Sequence, residues 1–208
     1  MIDYVAIFIT FFAVIDPIGT IPVFVAVTDK YDKKTKHRIA FLATIIAASV
    51  LMFFLVVGEL MLTALSIPLP AFQISGGIVL FLFALTMIFG DSKPEEEIKR
   101  LNKSHKETAI FPIAVPSIAS PGAILTAVLL TENAMFSFWE QVQTGIVMLS
   151  VLVIVYVLMV FSGFITRFIG SGGASLISRV MGLILSAIAT TNILTGISDY
   201  YNFVPLLP

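Results

Sequence analysis

Six apolar runs, each long enough to cross a lipid bilayer, occupy most of this 208-residue sequence. A helix needs about 20 largely apolar residues to cross about 30 Å of hydrocarbon. Charged residues make up 12% of the chain, about half the share that a soluble domain carries. The sequence therefore predicts an all-α membrane protein with six transmembrane helices, the first of them retained rather than cleaved. The predicted spans are 4–28, 39–63, 72–90, 109–131, 142–166 and 179–199.

Lysine and arginine lie in alternate connections between these runs. Five occur in 29–38, five in 91–108, and the last two, Arg167 and Arg179, bracket the connection at 167–178. The connections near 64–71 and 132–141 contain none. Because positively charged connections stay on the cytoplasmic side, we expect both termini of this multi-pass protein to lie on the non-cytoplasmic side of the cell membrane.

The first and fourth runs share an unusual pattern near their middles. Asp16-Pro17 in one and Ser120-Pro121 in the other are each followed closely by a glycine. Proline inside a helix removes a backbone hydrogen bond, whereas proline at the first position of a helix after an aspartate or serine cap is favourable. We therefore expect each run to consist of two half-helices that join near the bilayer midplane.

Two similar halves of three spans each must run in opposite directions through the membrane, as in many secondary transporters. The predicted organisation is a first three-helix repeat at 1–90, a charged cytoplasmic connection at 91–108, and a second, inverted repeat at 109–208. A weaker likeness between the third and sixth runs aligns Gly77 with Gly182 and Ala84 with Ala189.

Asp16 is the only ionisable residue near the centre of a predicted span. A charge at that depth costs at least about 2.5 kcal/mol on insertion scales, which marks it as a functional candidate. Half-helix N-termini carry partial positive charge and suit a carboxylate, while Asp16 suits an ammonium group or a proton. The predicted substrate-binding residues are Asp16, Pro17, Gly19, Thr20, Ser120, Pro121, Gly122 and Ala123, with Ser75, Thr126 and Asn192 as further lining candidates.

The residue types that are absent from the predicted spans exclude several functions. The chain has no cysteine, and its two histidines, His37 and His105, lie in charged connections. We therefore expect no metal site, no cofactor and no enzymatic activity, since nothing within the spans could share acid–base chemistry with Asp16. Partners other than the bilayer are expected to be small molecules and not nucleic acid.

Several motifs together resemble the MarC family of membrane proteins over nearly the whole chain. They are Asp-Pro-x-Gly-x-x-Pro from Asp16 to Pro22, Ser-Pro-Gly-Ala-Ile at 120–124, Ala-Phe-x-Ile-x-Gly-Gly at 71–77 and Arg-x-Met-Gly-x-Ile-Leu at 179–185. The chain departs from the family pattern at Gln73, where arginine is usual, and near Thr191, where glutamine is usual.

The resemblance implies a transporter of small neutral amino acids of glycine or alanine size, driven by a proton gradient. A passive channel or an exporter of other small solutes is the alternative, and an intramembrane enzyme is the third class. The sequence leaves open the direction of transport, the coupling ion and the oligomeric state.

Overall fold

The computed structural model describes residues 3–89, 105–133 and 135–201, and this part of the chain is helical without any strand. The predicted charged connection at 91–108 lies outside the described residues except for its last four. The helices are α1 (Tyr4–Ile15), α2 (Thr20–Thr28), α3 (Lys33–Ala64), α4 (Leu69–Phe89), α5 (His105–Thr108), α6 (Pro121–Leu129), α7 (Phe138–Val160) and α8 (Ser162–Tyr200), with a wider π-type helical segment, Ala109–Ile118, between α5 and α6.

Length and apolar composition qualify five stretches of the described residues to cross a membrane. The bent pair of His105–Ile118 and Pro121–Leu129, which meet at 56°, makes a sixth span if it is counted as one. The chain is therefore an integral membrane protein. The five stretches are Tyr4–Thr28, Lys33–Ala64, Leu69–Phe89, Phe138–Val160 and Arg179–Tyr200.

Helix α1 ends at Ile15, and α2 begins only at Thr20. Asp16 adopts the left-handed conformation (φ 49°, ψ 69°), which a non-glycine residue rarely occupies. Pro17 has no N–H to continue the hydrogen bonds of α1. The expected arrangement, in which Asp16 caps a helix that starts at Pro17, was wrong: 17–19 form a turn first, because a left-handed residue lacks the extended backbone of a helix cap.

The segment before α6 departs from an ordinary α-helix at Phe111 (φ −130°, ψ 126°) and Val115 (φ −133°, ψ 126°). Each of these residues precedes a proline, Pro112 or Pro116. Proline disfavours the helical conformation of the residue before it and pushes that residue towards extended backbone. The fourth run is therefore irregular over a longer stretch than the single predicted interruption at Ser120-Pro121.

The predicted connection at 167–178 is helical and forms the first part of α8, which extends unbroken over 39 residues. Three of the residues at 170–173 are glycines, but glycine only weakens a helix, by about 1 kcal/mol for each residue. No proline lies between Ser162 and Tyr200 to remove a backbone donor. Helix α7 ends at Val160, and the single residue Phe161 (φ −90°, ψ 6°) separates it from α8.

Helix α4 packs antiparallel against the second half of α8, where the close contacts run from Gly182 to Gly196. A methyl group on Gly77 would lie 2.8 Å from Ile193 Cγ1 and 3.1 Å from the Ala189 carbonyl oxygen. These distances are shorter than normal van der Waals contact, so the glycine is what allows the two backbones to approach closely, as small residues do in membrane helix pairs.

The same contact recurs at the other end of the pair. A methyl group on Gly182 would lie 2.9 Å from Ile88 Cγ1 and 3.0 Å from the Ala84 carbonyl oxygen. Each glycine thus faces an alanine and an isoleucine of the opposite helix.

The buried core takes residues from α1 to α4, from the segment Ala109–Ile118 and from α6 to α8. One face of α3 is lined by Ala40, Ala43, Ala47 and Leu51, all fully buried, at the three- and four-residue spacing of a single helix face. The outward faces of the helices expose large apolar side chains, which suits contact with lipid. Examples are Phe41, Phe53, Val56, Leu82, Val153, Leu183 and Leu194.

Candidate functional site

The two interrupted runs meet inside the protein. Ser120 Oγ donates a 2.9 Å hydrogen bond to the carbonyl oxygen of Val14, near the end of α1. The last carbonyl groups of a helix have no partner within the helix, and those of α1 are buried. A side chain from the second interruption therefore satisfies a backbone group that the first interruption exposes.

The hydroxyl of Ser120 both donates and accepts a hydrogen bond in this arrangement. Besides donating to Val14, its oxygen accepts the N–H of Ala123 at 3.1 Å, which caps α6. Ser120 has the extended backbone of a helix cap (φ −69°, ψ 158°) and Pro121 follows at the first helical position, as the sequence pattern indicates. Ser120 is also completely buried, so its role in the structure is to tie the two interruptions together.

Asp16 lies at the centre of the first interruption and is only 5% exposed. Its Oδ1 atom accepts the backbone N–H of Gly19 at 3.0 Å. No donor among the described residues reaches the other carboxylate oxygen, Oδ2, and none of their cationic side chains pairs with it. A buried carboxylate is costly unless it is paired or hydrogen-bonded, so Oδ2 is an acceptor available to a proton or a cationic ligand.

Gly19 is required beside this carboxylate. A β-carbon on Gly19 would collide with Asp16 Oδ2. The carboxylate therefore lies against the main chain of the turn at 17–19, in space that any other residue would fill.

A short chain of hydroxyl groups links the two interruptions a second time. Ser117 Oγ donates to Thr20 Oγ1 at 3.3 Å, and Thr20 Oγ1 donates to the carbonyl oxygen of Asp16 at 3.1 Å. Thr20 is 1% exposed, whereas Ser117 is half-buried. Sequence reasoning missed Ser117; the available signal was a second serine close to the Ser-Pro pair, in Pro-Ser-Ile-Ala-Ser-Pro at 116–121.

The remaining predicted binding residues frame this group. Pro17 and Ala123 are buried, Pro121 is half-buried, and Gly122 packs against Leu80 of α4, which leaves no room for a side chain. These residues shape the backbone around Asp16 and offer no side-chain polar group.

The three further lining candidates lie elsewhere. Ser75 is exposed on α4 and bonds to the Ala71 carbonyl oxygen of its own helix at 2.9 Å. Thr126 is buried in α6, and Asn192 is half-buried on α8. None of the three forms a side-chain hydrogen bond with the residues at 14–20 or 117–123 in the part of the chain that the structure describes.

The two ends of α3 carry opposite charge. Its first turns contain the lysines of the 29–38 connection, and Glu59 lies near its far end. At that far end Glu59 accepts the backbone N–H of Asn133 at 2.7 Å. Partial burial and the nearby charges of Glu59 and Asp199 raise the pKa of Glu132, which places three carboxylates at one end of the bundle. Within the described ranges, no group of three or more possible ligands could hold a metal ion.

Comparisons with known proteins agree over the whole chain. The model of the MarC family integral membrane protein matches residues 1–201. A UPF0056 membrane protein of Buchnera aphidicola (subsp. Schizaphis graminum) is 32% identical over 188 residues, covering 90% of this chain and 92% of that protein. A UPF0056 membrane protein of Methanocaldococcus jannaschii is 32% identical over 196 residues, covering 93% and 95%.

A third relative, the UPF0056 membrane protein YvbG of Bacillus subtilis, is 30% identical over 205 residues and covers 95% of both chains. No solved structure gives a significant match. With the family model matched from residue 1 to residue 201 and relatives of at least 30% identity along nearly its full length, the chain belongs to the MarC family of integral membrane proteins.

Proposed function

We propose that this protein is a proton-coupled secondary transporter of small neutral amino acids, of glycine or alanine size. The observation that carries the proposal is the Ser120–Val14 hydrogen bond, which brings two interruptions of membrane-length helices together beside the buried carboxylate of Asp16. Irregular backbone is tolerated at membrane depth only where protein or a water-filled cavity satisfies it. A substrate site explains why both interruptions occur at the same place.

In this proposal the chain consists of two inverted three-helix repeats that rock against each other. The paired contacts between α4 and α8 support it, because Gly77 faces Ala189 and Gly182 faces Ala84. The same displacement along the sequence relates Gly77 to Gly182, Ala84 to Ala189 and Ile88 to Ile193. When residue i of one unit contacts j of the other and j contacts i, the units are related by a two-fold axis.

The chemistry of the site favours a zwitterion. Asp16 Oδ2 is an acceptor without a donor among the described residues, and it suits an α-ammonium group or a proton. Helix α2 begins at Thr20, shortly after Asp16, and α6 begins just after Ser120, which bonds to Val14. The N-terminal ends of both helices favour negative charge, here the substrate carboxylate. The tight backbone at Gly19 and the contact of Gly122 with Leu80 favour a substrate with a very small side chain.

The orientation follows from the distribution of charge. Lysines and arginines cluster at the end of the bundle where α3 begins, and carboxylates at the end where Glu59, Glu132 and Asp199 lie. By the positive-inside rule the basic end is cytoplasmic. The protein then resides in the cell membrane with both termini outside, and it needs no cofactor, metal or catalytic step.

Counterflow in proteoliposomes tests this function. Vesicles that contain the protein and a high internal concentration of unlabelled glycine should transiently accumulate labelled glycine from outside, and protein-free vesicles should not. Alanine should compete, whereas leucine and arginine should compete poorly because their side chains do not fit. Uptake that does not saturate, without counterflow, would identify a channel and refute the carrier.

A further inference from the structure

The hydroxyl chain from Ser117 through Thr20 to Asp16 has a fixed direction. Thr20 gives its only hydroxyl hydrogen to the Asp16 carbonyl oxygen, so its oxygen must act as the acceptor towards Ser117. Ser117 therefore gives its own hydrogen to Thr20. Both hydrogens are committed, and the free end of the chain is the oxygen of Ser117.

That oxygen presents lone pairs and no hydrogen. No donor among the described residues reaches it, and Ser117 is the half-buried member of a chain whose other two residues are almost completely buried. Unusual backbone precedes Ser117, since Val115 is extended (φ −133°, ψ 126°) and Pro116 follows it. It is therefore an oriented acceptor at the open side of the hydroxyl chain.

Asp16 offers an acceptor of the same kind. Its Oδ2 lies against the main chain of Gly19, one residue before Thr20, to which Ser117 is bonded. Asp16 Oδ2 and Ser117 Oγ are therefore two hydrogen-bond acceptors that no donor among the described residues reaches. Such a pair suits a ligand that brings several N–H donors. A primary ammonium group carries three.

We propose that Ser117 is a substrate-binding residue that accepts one N–H of the substrate's α-ammonium group, while Asp16 accepts another. The inference rests on the proposed function and deepens it. It predicts that the transporter distinguishes amino acids by the number of N–H donors on their nitrogen, and that Ser117 supplies a large part of this discrimination.

The test compares inhibition of labelled glycine counterflow by unlabelled glycine and by N,N-dimethylglycine, whose ammonium group keeps a single N–H. Hydrogen bonds to charged groups contribute enough to change affinity by about tenfold or more. In Ser117→Ala, glycine should therefore inhibit about tenfold less well than in the wild type, while N,N-dimethylglycine should inhibit almost equally well. The ratio of the two inhibition constants should shrink by about tenfold.

Two further variants separate binding from a purely structural role. Ser117→Thr keeps the hydroxyl and should retain most of the wild-type ratio. Ser117→Cys keeps a similar volume with a weak acceptor and should shrink the ratio as alanine does, which provides the test if the alanine variant is not recovered folded. If the variants weaken both inhibitors equally, or neither, Ser117 only supports Thr20 and the inference is overturned.

Failure of the proposed function gives a different result. If the wild-type protein shows no glycine counterflow at all, the transporter assignment is refuted, and the role of Ser117 is refuted with it. If the wild type shows counterflow and the ratio is unaffected by the variants, only the role of Ser117 is refuted.

Discussion

The hydroxyl of Ser120 bonds to the backbone carbonyl oxygen of Val14, 106 residues earlier in the chain. This single contact joins the end of α1 to the start of α6 and holds the two irregular segments side by side. The Ser120 hydroxyl also accepts the Ala123 N–H, which caps α6. In the proposed transporter, Asp16 and Ser117 supply the polar side-chain contacts to the substrate.

Removing the Ser120 hydroxyl should destabilise the protein. In Ser120→Ala, α6 loses its cap and the Val14 carbonyl loses a buried donor, and either loss costs about 1 to 2 kcal/mol. We expect the free energy of unfolding to fall by about 2 kcal/mol, measured by unfolding in detergent. Ser75→Ala is the control, because Ser75 is exposed and bonds only within its own helix. Equal stability of both variants would show that the Ser120 contact is unimportant.

The close approach of α4 and α8 predicts matched effects at two glycines. Gly77→Ala and Gly182→Ala each place a methyl group within 3.1 Å of an isoleucine and an alanine carbonyl of the opposite helix. Overpacking of this kind costs about 1 to 3 kcal/mol, and the two losses should be similar because the contacts are equivalent. Gly163→Ala, which meets nothing within 4 Å, should be neutral or slightly stabilising. A large loss at only one of the two positions would contradict the equivalence.

Much of this fold follows from local chemistry that a sequence displays. The spans are set by runs of apolar residues. The interruptions at 16–19 and 119–120 lie at the dipeptides Asp16-Pro17 and Ser120-Pro121. The irregularity at Phe111 and Val115 follows equally from Pro112 and Pro116, which the predicted interruption at Ser120-Pro121 did not include. The unbroken α8 was harder to predict, because three glycines among 170–173 weaken a helix without forbidding it.

The candidate site was only partly predictable for a different reason. Asp16, Thr20 and Ser120 stand out as polar residues near proline in apolar runs. The structure bonds Thr20 to the Asp16 carbonyl oxygen and Ser120 to the Val14 carbonyl oxygen. Nothing in the sequence distinguishes Ser117 from other serines. Its position becomes significant only in the fold, where its Oγ lies 3.3 Å from Thr20 Oγ1. Ser75 was predicted to line the site only because it is polar. The packing of α4 against α8 determines which face of α4 is exposed, and Ser75 lies on that face.

The acidic end of the bundle predicts a pH-dependent effect at Glu132. Partial burial and the charges of Glu59 and Asp199 raise the pKa of Glu132, so the folded protein favours its protonated form and loses stability as the pH rises through that pKa. Glu132→Gln removes the unfavourable charge. Its unfolding temperature in detergent should exceed that of the wild type at pH 7.5, and the difference should shrink at pH 4.5. A variant that is less stable at pH 7.5 would contradict this assignment.

Reporter fusions test the orientation. A reporter inserted after residue 34 should be cytoplasmic, because it lies among the lysines of the 29–38 connection. Reporters after residues 68 and 136 should be external, because those connections carry no lysine or arginine. Labelling of single cysteines introduced at the same positions is a second measurement. Because the sequence contains no native cysteine, only the introduced residue is labelled. A cytoplasmic signal at 68 or 136 would reverse the proposed topology.

Substrate-dependent proton uptake by Asp16→Asn proteoliposomes tests proton-coupled transport at Asp16 most directly. Asparagine keeps the size of aspartate and an oxygen that can accept the Gly19 N–H, but it cannot exchange a proton at neutral pH. At matched insertion, the wild type should accumulate glycine against its gradient when a pH gradient is imposed, with protons entering alongside. The variant should lose both signals. If Asp16→Asn still accumulates glycine uphill with proton uptake, Asp16 serves only the turn at 17–19 and the proposed coupling is wrong.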